Sequence, residues 1–129
     1  MAHPNEILVR KVYEAQGRGD IDGYLELLSD DFVLHIGGRS QIAGEYRGKE
    51  EVRRHFQEIA QLSRGTFRTE VHDALASDEH VVGLLNARAE REGVPVDLPR
   101  VHVWHVSDGS LSELWVHPAD QYAFDAYWG

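Results

Sequence analysis

Eight histidines and 22 carboxylates stand in a chain of 129 residues that has no cysteine. Histidine titrates near neutral pH and serves as acid, base or metal ligand. Spacing narrows the choice. A strand-borne metal site wants His-x-His, and none occurs; His102 and His105 are three apart, which places them on opposite faces of a strand. No His-Glu-x-x-His run is present either, so no metal is expected. The missing cysteine removes thiolate nucleophiles, disulfides and the usual zinc sites. No Gly-x-Ser-x-Gly elbow, phosphate loop or dinucleotide fingerprint occurs, and no cofactor is expected. What remains is proton chemistry by carboxylate, imidazole and phenol.

Several residues could carry it. Asp120 sits among Trp115, Pro118, Tyr122 and Phe124, where desolvation would make its carboxylate more basic. It also stands in good N-cap position before Gln121-Tyr122-Ala123, and both readings remain open. His35 ends a short apolar run, on the opposite face from Phe32. His102, Trp104 and Val106 oppose Val101, Val103 and His105. Further along, Leu111, Glu113, Trp115 and His117 oppose Ser112, Leu114 and Val116. Alternation does not say which set lines an interior. Asp120, His35 and His102 stand out among the groups that could move a proton. Trp104, Trp115, Glu113, His117 and Tyr46 are candidate substrate contacts. For Tyr13 and Tyr24, core packing is the better reading.

The elements that must position these residues follow from periodicity. Residues 5–17 carry Leu8, Val12 and Ala15 at helical spacing, stopped by Gly17 and Gly19. Asp20 caps a second helix with Ile21, Tyr24, Leu25 and Leu28 on one face, ended by Ser29-Asp30-Asp31. Phe32–Ile36 reads as a strand, 37–48 as a glycine-rich loop, and Lys49–Ser63 as a third helix with Val52, Phe56 and Ile59 aligned. Four strands are predicted after it: Thr66–Ala76, Val81–Arg91, Val94–Val106 and Leu111–His117. Short turns link them, so the sheet should be mainly antiparallel, with Gly83, Pro95 and Pro99 as candidate bends. The aromatic tail 118–129 reads as packed. The expected fold class is α+β: a strongly curved sheet around three helices of the first half, enclosing a pocket, in one domain spanning 1–129.

This order of elements resembles the nuclear transport factor two-like superfamily, and within it the SnoaL-like branch related to polyketide cyclases and ketosteroid isomerase. The resemblance rests on Asp30-Asp31-Phe32-Val33-Leu34-His35-Ile36-Gly37-Gly38-Arg39, Gly44-Glu45-Tyr46-Arg47-Gly48-Lys49-Glu50-Glu51-Val52, Asp108-Gly109-Ser110-Leu111-Ser112-Glu113-Leu114-Trp115 and Asp120-Gln121-Tyr122-Ala123-Phe124-Asp125-Ala126-Tyr127-Trp128. It implies a cone-shaped fold with a deep pocket and, commonly, a homodimer. It also implies that Asp120 falls at the catalytic aspartate of the cyclases. By the same resemblance His102 falls near the isomerase's oxyanion donor, His35 near its base, and Tyr13 nearest its phenol donor. The epoxide hydrolases of the superfamily need an Asp–Arg–Asp set; Arg88 and Arg100 have no flanking aspartate pair, although Asp73 and Asp97 lie on strands.

The function expected is cofactor-independent proton transfer, of isomerase or cyclase type, on a small, largely apolar, ring-containing molecule. The alternatives are a binding module that holds such a ligand unconverted, or a dimeric association domain. A sheet with two semi-apolar faces wants cover on both, so a second copy is expected on the outer face. The net charge of −9 argues against a nucleic-acid partner. No run of about 18 apolar residues suggests a membrane span. The N-terminus lacks the basic and apolar regions of a signal peptide, so a cytoplasmic location is expected.

Overall fold

The computed structural model describes residues 2–129; Met1 lies outside it. In order come α1 (Pro4–Gly17), α2 (Ile21–Glu26), β1 (Leu28–Ile36), β2 (Gly44–Arg47), α3 (Lys49–Leu62), β3 (Arg68–Ala76), β4 (His80–Arg91), β5 (Val94–Asp97), β6 (Arg100–Ser107), β7 (Ser110–Pro118) and α4 (Gln121–Trp128). The strands form one sheet in the order β2-β1-β7-β6-β4-β3, with β5 on β4. Every pairing is antiparallel except β1 with β7. The helices pack on one face of this curved, open sheet. Val9, Val12 and Tyr13 of α1 and Val52 and Ile59 of α3 are buried there with Leu34, Trp104, Leu114 and Val116 of the sheet. No helix among the described residues is long and apolar enough to cross a membrane.

Four of the expectations change. A fourth helix, α4, forms the aromatic tail, so the helices among the described residues number four. The glycine-rich stretch contains β2, paired to β1 through Tyr46 and Leu34. The run Val94–Val106 is two strands, because Leu98-Pro99 breaks it and Pro99 has no N–H for a ladder. Strand β1 begins at Leu28, with a register shift against β7 between Leu28 and Val33 absorbing the polar Ser29-Asp30-Asp31. The hairpin turns are as expected: Glu92-Gly93 and Asp108-Gly109 all have positive φ, the geometry that matches strand twist in two-residue loops.

One bulge decides the parity of β7. Val106 pairs with Leu111 and His105 with Glu113, leaving Ser112 as the extra residue. Leu111 therefore joins Leu114 and Val116 inside, while Glu113, Trp115 and His117 face outward. Leu111 thus departs from the face that simple alternation assigned it.

Candidate functional site

The interior of the sheet and helices holds a small cavity of about 50 Å³. Its walls are largely apolar, including Leu34, Ile36, Ile42, Leu114, Val116 and Phe124. Its polar side chains are His55, Arg100, His102, Tyr24, Thr69 and Gln16. No carboxylate lines it. Between α3 and the α1–α2 turn lies an open groove of about 380 Å³. Gln16, Phe56, Ile59 and Phe67 belong to both, and form the wall between them.

His102 is held by a chain of hydrogen bonds. The indole Nε1–H of Trp104 donates to the Tyr13 hydroxyl at 2.8 Å, and that hydroxyl lies 2.9 Å from His102 Nδ1. An indole N–H can only donate, so the phenol accepts it; among the described residues Nδ1 is the one acceptor within reach of the phenol's own proton, and pairing that buried proton assigns Nδ1 as acceptor. The imidazole is then the neutral Nε2–H tautomer, and Nε2–H is free to donate within the cavity. Burial, then the positive charge of Arg100, hold His102 well below the ordinary histidine range. Burial raises the Tyr13 pKa, so the phenol stays protonated. The sequence makes this chain possible in two ways. Helix α1 places Tyr13 on its buried face, and β6 places 102 and 104 on one face. Gly83 of β4 supplies the clearance: a Cβ there would stand 2.6 Å from the Tyr13 oxygen. Gly83 was expected to mark a bend; its role is this close approach.

His55 and Arg100 complete the polar set, and neither was singled out for the site beforehand. His55 is 8% exposed, and its Nδ1 is buried without a partner. Burial, then Arg100, push its pKa down to about 4, so it is neutral at pH 7. Its ring lies 4.8 Å from that of Tyr46, whose hydroxyl donates to the Ile42 carbonyl at 2.7 Å. Arg100 is also 8% exposed; its Nε donates to the Leu98 carbonyl at 3.2 Å, and Nη2 is buried without a partner. Burial brings its pKa to about 10, which leaves it charged. Both residues carry a readable signal. His55 falls between Val52 and Ile59 on the apolar stripe of α3, and Arg100 shares a strand face with His102 and Trp104.

The structure separates Asp120, His35 and His102. Asp120 is exposed and caps α4, its carboxylate accepting the Ala123 N–H at 3.1 Å. His35 faces outward, donates to Glu113, lies 3.4 Å from Glu45 and stacks on Trp115 with ring centroids 5.3 Å apart. His102 alone of the three lines the cavity. Trp104 is fully buried behind it, while Trp115, Glu113 and His117 lie on the outer face with His35. Tyr46 does not line the cavity; it touches two residues that do, His55 and Ile42. The outer arrangement follows from sheet parity: Trp115 lies directly across from His35 on β1 and from Val103 on β6.

A wider polar groove of about 700 Å³ lies at the far end of β3, β4 and β5. Its Arg88 and Asp97 already pair at 2.9 Å. Among the described residues no group of three or more His, Asp or Glu is placed to hold a metal ion.

Comparison with known proteins agrees with this architecture. An uncharacterised protein of Mycobacterium tuberculosis is 27% identical over 122 residues, covering 94% of this chain and 93% of that protein. Bal32a, from a soil-derived mobile gene cassette, superposes with a TM-score of 0.92 at 31% identity, covering 98% of this chain and 97% of its own. A nuclear transport factor two-like protein of unknown function from Burkholderia pseudomallei does so with a TM-score of 0.86 at 25% identity, covering 98% of each chain. The SnoaL-like domain matches residues 9–114. With the curved sheet and the helices on one face already in place, the chain belongs to the SnoaL-like domain family of the nuclear transport factor two-like fold.

Proposed function

We propose that the chain binds a small, largely apolar, ring-containing molecule in its interior and hydrogen-bonds a carbonyl or enolate oxygen of it through His102 Nε2–H. The observation that carries this is the Trp104–Tyr13–His102 chain, which fixes one imidazole tautomer in an apolar cavity. A donor prepared in this way costs no reorganisation when a ligand arrives. The cavity is too small for a ring, since ligand pockets run from about 300 Å³. Rotation of Phe56 and Phe67 would join it to the neighbouring groove of about 380 Å³. Proteins of the same fold have been crystallised with polyporic acid and with estradiol-17beta-hemisuccinate, at 19% and 20% identity. That speaks for the capacity of the fold; the reading for this chain rests on its own cavity.

A second reading is favoured by the unpartnered Nδ1 of His55. A neutral imidazole opposite an oxygen donor is the pair that cofactor-independent proton transfer beside a carbonyl requires. One experiment separates the two. Cyclic enones and phenols are titrated while the indole resonance of Trp104 is followed, and deuterium exchange beside the carbonyl is measured in D2O. Binding with exchange that His55→Gln abolishes assigns an isomerase- or cyclase-type activity. Binding without exchange assigns a binding module. No binding, or equal binding by a Val116→Trp variant that fills the cavity, rejects both.

The outer face of the sheet supports a second copy as its cover. Leu75, Val82, Val103 and Trp115 form a rank across four strands, each directly beside the next. His35 and His105 stand among them with Glu113 and Glu45, so the face carries both signs and can complement itself across a two-fold axis.

A further inference from the structure

The unexplained group in the interior is the cation. Arg100 is among the most costly residues to bury, and burial is tolerated when a carboxylate meets it. Here its charged head lies 5.1 Å from the Phe67 ring and 5.2 Å from the Phe124 ring, with only the Leu98 carbonyl as a hydrogen-bond acceptor. Among the described residues no carboxylate lies within ion-pair distance of it, although the chain has 22 to draw on. The titratable groups around the cavity cannot neutralise it: His55 and His102 are neutral, and burial keeps the protons on Tyr13 and Tyr24. Nη2 points into buried space with nothing to bind.

We propose that the interior ligand is a ring-containing organic acid whose carboxylate seats on Arg100, with His102 Nε2–H as a second donor. This rests on the proposed ligand-binding reading and names the chemical class. Arg100 and His102 are two residues apart on one strand face, with Cα atoms roughly 7 Å apart, and both line the same cavity. A planar guanidinium matches a planar carboxylate better than a point charge would. The two spaces divide the ligand. The 50 Å³ cavity suits the head group, and the groove beyond Phe56 and Phe67 suits the ring. A phosphate dianion would need more donors than one arginine and one imidazole.

The test uses the full chain, naphthalene-2-carboxylate, its neutral carboxamide, and acetate. Calorimetric titration at pH 7 is run on the wild type, Arg100→Met and Arg100→Lys. The wild type is expected to bind the carboxylate at least tenfold more tightly than the carboxamide. Arg100→Met is expected to lose that preference through the acid alone, and Arg100→Lys to keep part of it. Without ligand, Arg100→Met is expected to melt no lower than the wild type, because an unpaired buried charge has been removed. Acetate should raise the melting temperature of the wild type and leave that of Arg100→Met unchanged. Equal binding of acid and amide by the wild type, or a preference that survives in Arg100→Met, overturns the anion seat and leaves the pocket standing. A sharply lower melting temperature for Arg100→Met, with no effect of acetate on the wild type, makes Arg100 a structural residue and also overturns it. Failure of both naphthalene probes, with acetate equally without effect, rejects the pocket and the seat together.

Discussion

Tyr13 shows how much rests on one hydroxyl. It accepts the proton of one buried ring and gives its own to another, so Tyr13→Phe strands two polar groups at once. Leaving a buried donor or acceptor unpaired costs about 1–3 kcal/mol, and that loss is expected in urea denaturation of the variant. The variant should also weaken ligand binding, because His102 is then free to take the other tautomer. His55 gives a second prediction at this scale. Its pKa falls from an ordinary 6.5 to about 4 on folding. It is neutral in both states above pH 7 and contributes no pH dependence there. As pH falls below 6.5 the unfolded chain takes up the proton and the folded chain does not, so stability drops until about pH 4. The full span is on the order of 3 kcal/mol. Urea midpoints measured between pH 7 and 4 should fall less steeply in His55→Gln. An equal slope would mean that His55 is not the group responsible.

Among the elements, α1 and β4 meet at Gly83. Gly83→Ala places a methyl against the Tyr13 oxygen, and either α1 or the strand must yield. Overpacking of this kind costs about 1–3 kcal/mol. Because the clash is with the hydroxyl, Tyr13→Phe should relieve part of it. The double variant is then expected to be more stable than the sum of the single losses, which a double-mutant cycle measures. Helix α4 carries a different test. Asp120 is its N-cap, so Asp120→Ala should cost about 1 kcal/mol, while Asp120→Asn keeps the cap. Asp120→Asn should leave binding and any turnover unchanged. A catalytic Asp120 would show the opposite, full stability with turnover lost.

For the whole molecule, the arrangement of charge is more telling than its sum. A chain of net charge −9 keeps its carboxylates out of the cavity and leaves a cation inside. Natural proteins retain such costly groups where function uses them. The outer face carries the prediction of assembly. Trp115→Glu puts a charge at one end of the apolar rank, and light scattering is expected to report a dimer for the wild type and a monomer for the variant. A wild type that is monomeric at all concentrations removes the second copy as the cover.

Periodicity along the chain determined the helices α1 and α3, the hairpins at Glu92-Gly93 and Asp108-Gly109, and the α+β class, because these follow from spacing within a few residues. It also marked His102 as a residue beside a tryptophan on one strand face. The inside and outside of β7 were out of its reach, since the bulge at Ser112 depends on how β6 pairs with it. So was the placement of Asp120, exposed at the N-terminus of α4, which local sequence left equally fit to cap or to catalyse. The meeting of Tyr13 with His102, 89 positions apart, and of Arg100 with the rings of Phe67 and Phe124, is decided by the curvature of the sheet around the helices. Long-range packing selects the partner of a buried polar group, and no local pattern encodes that choice.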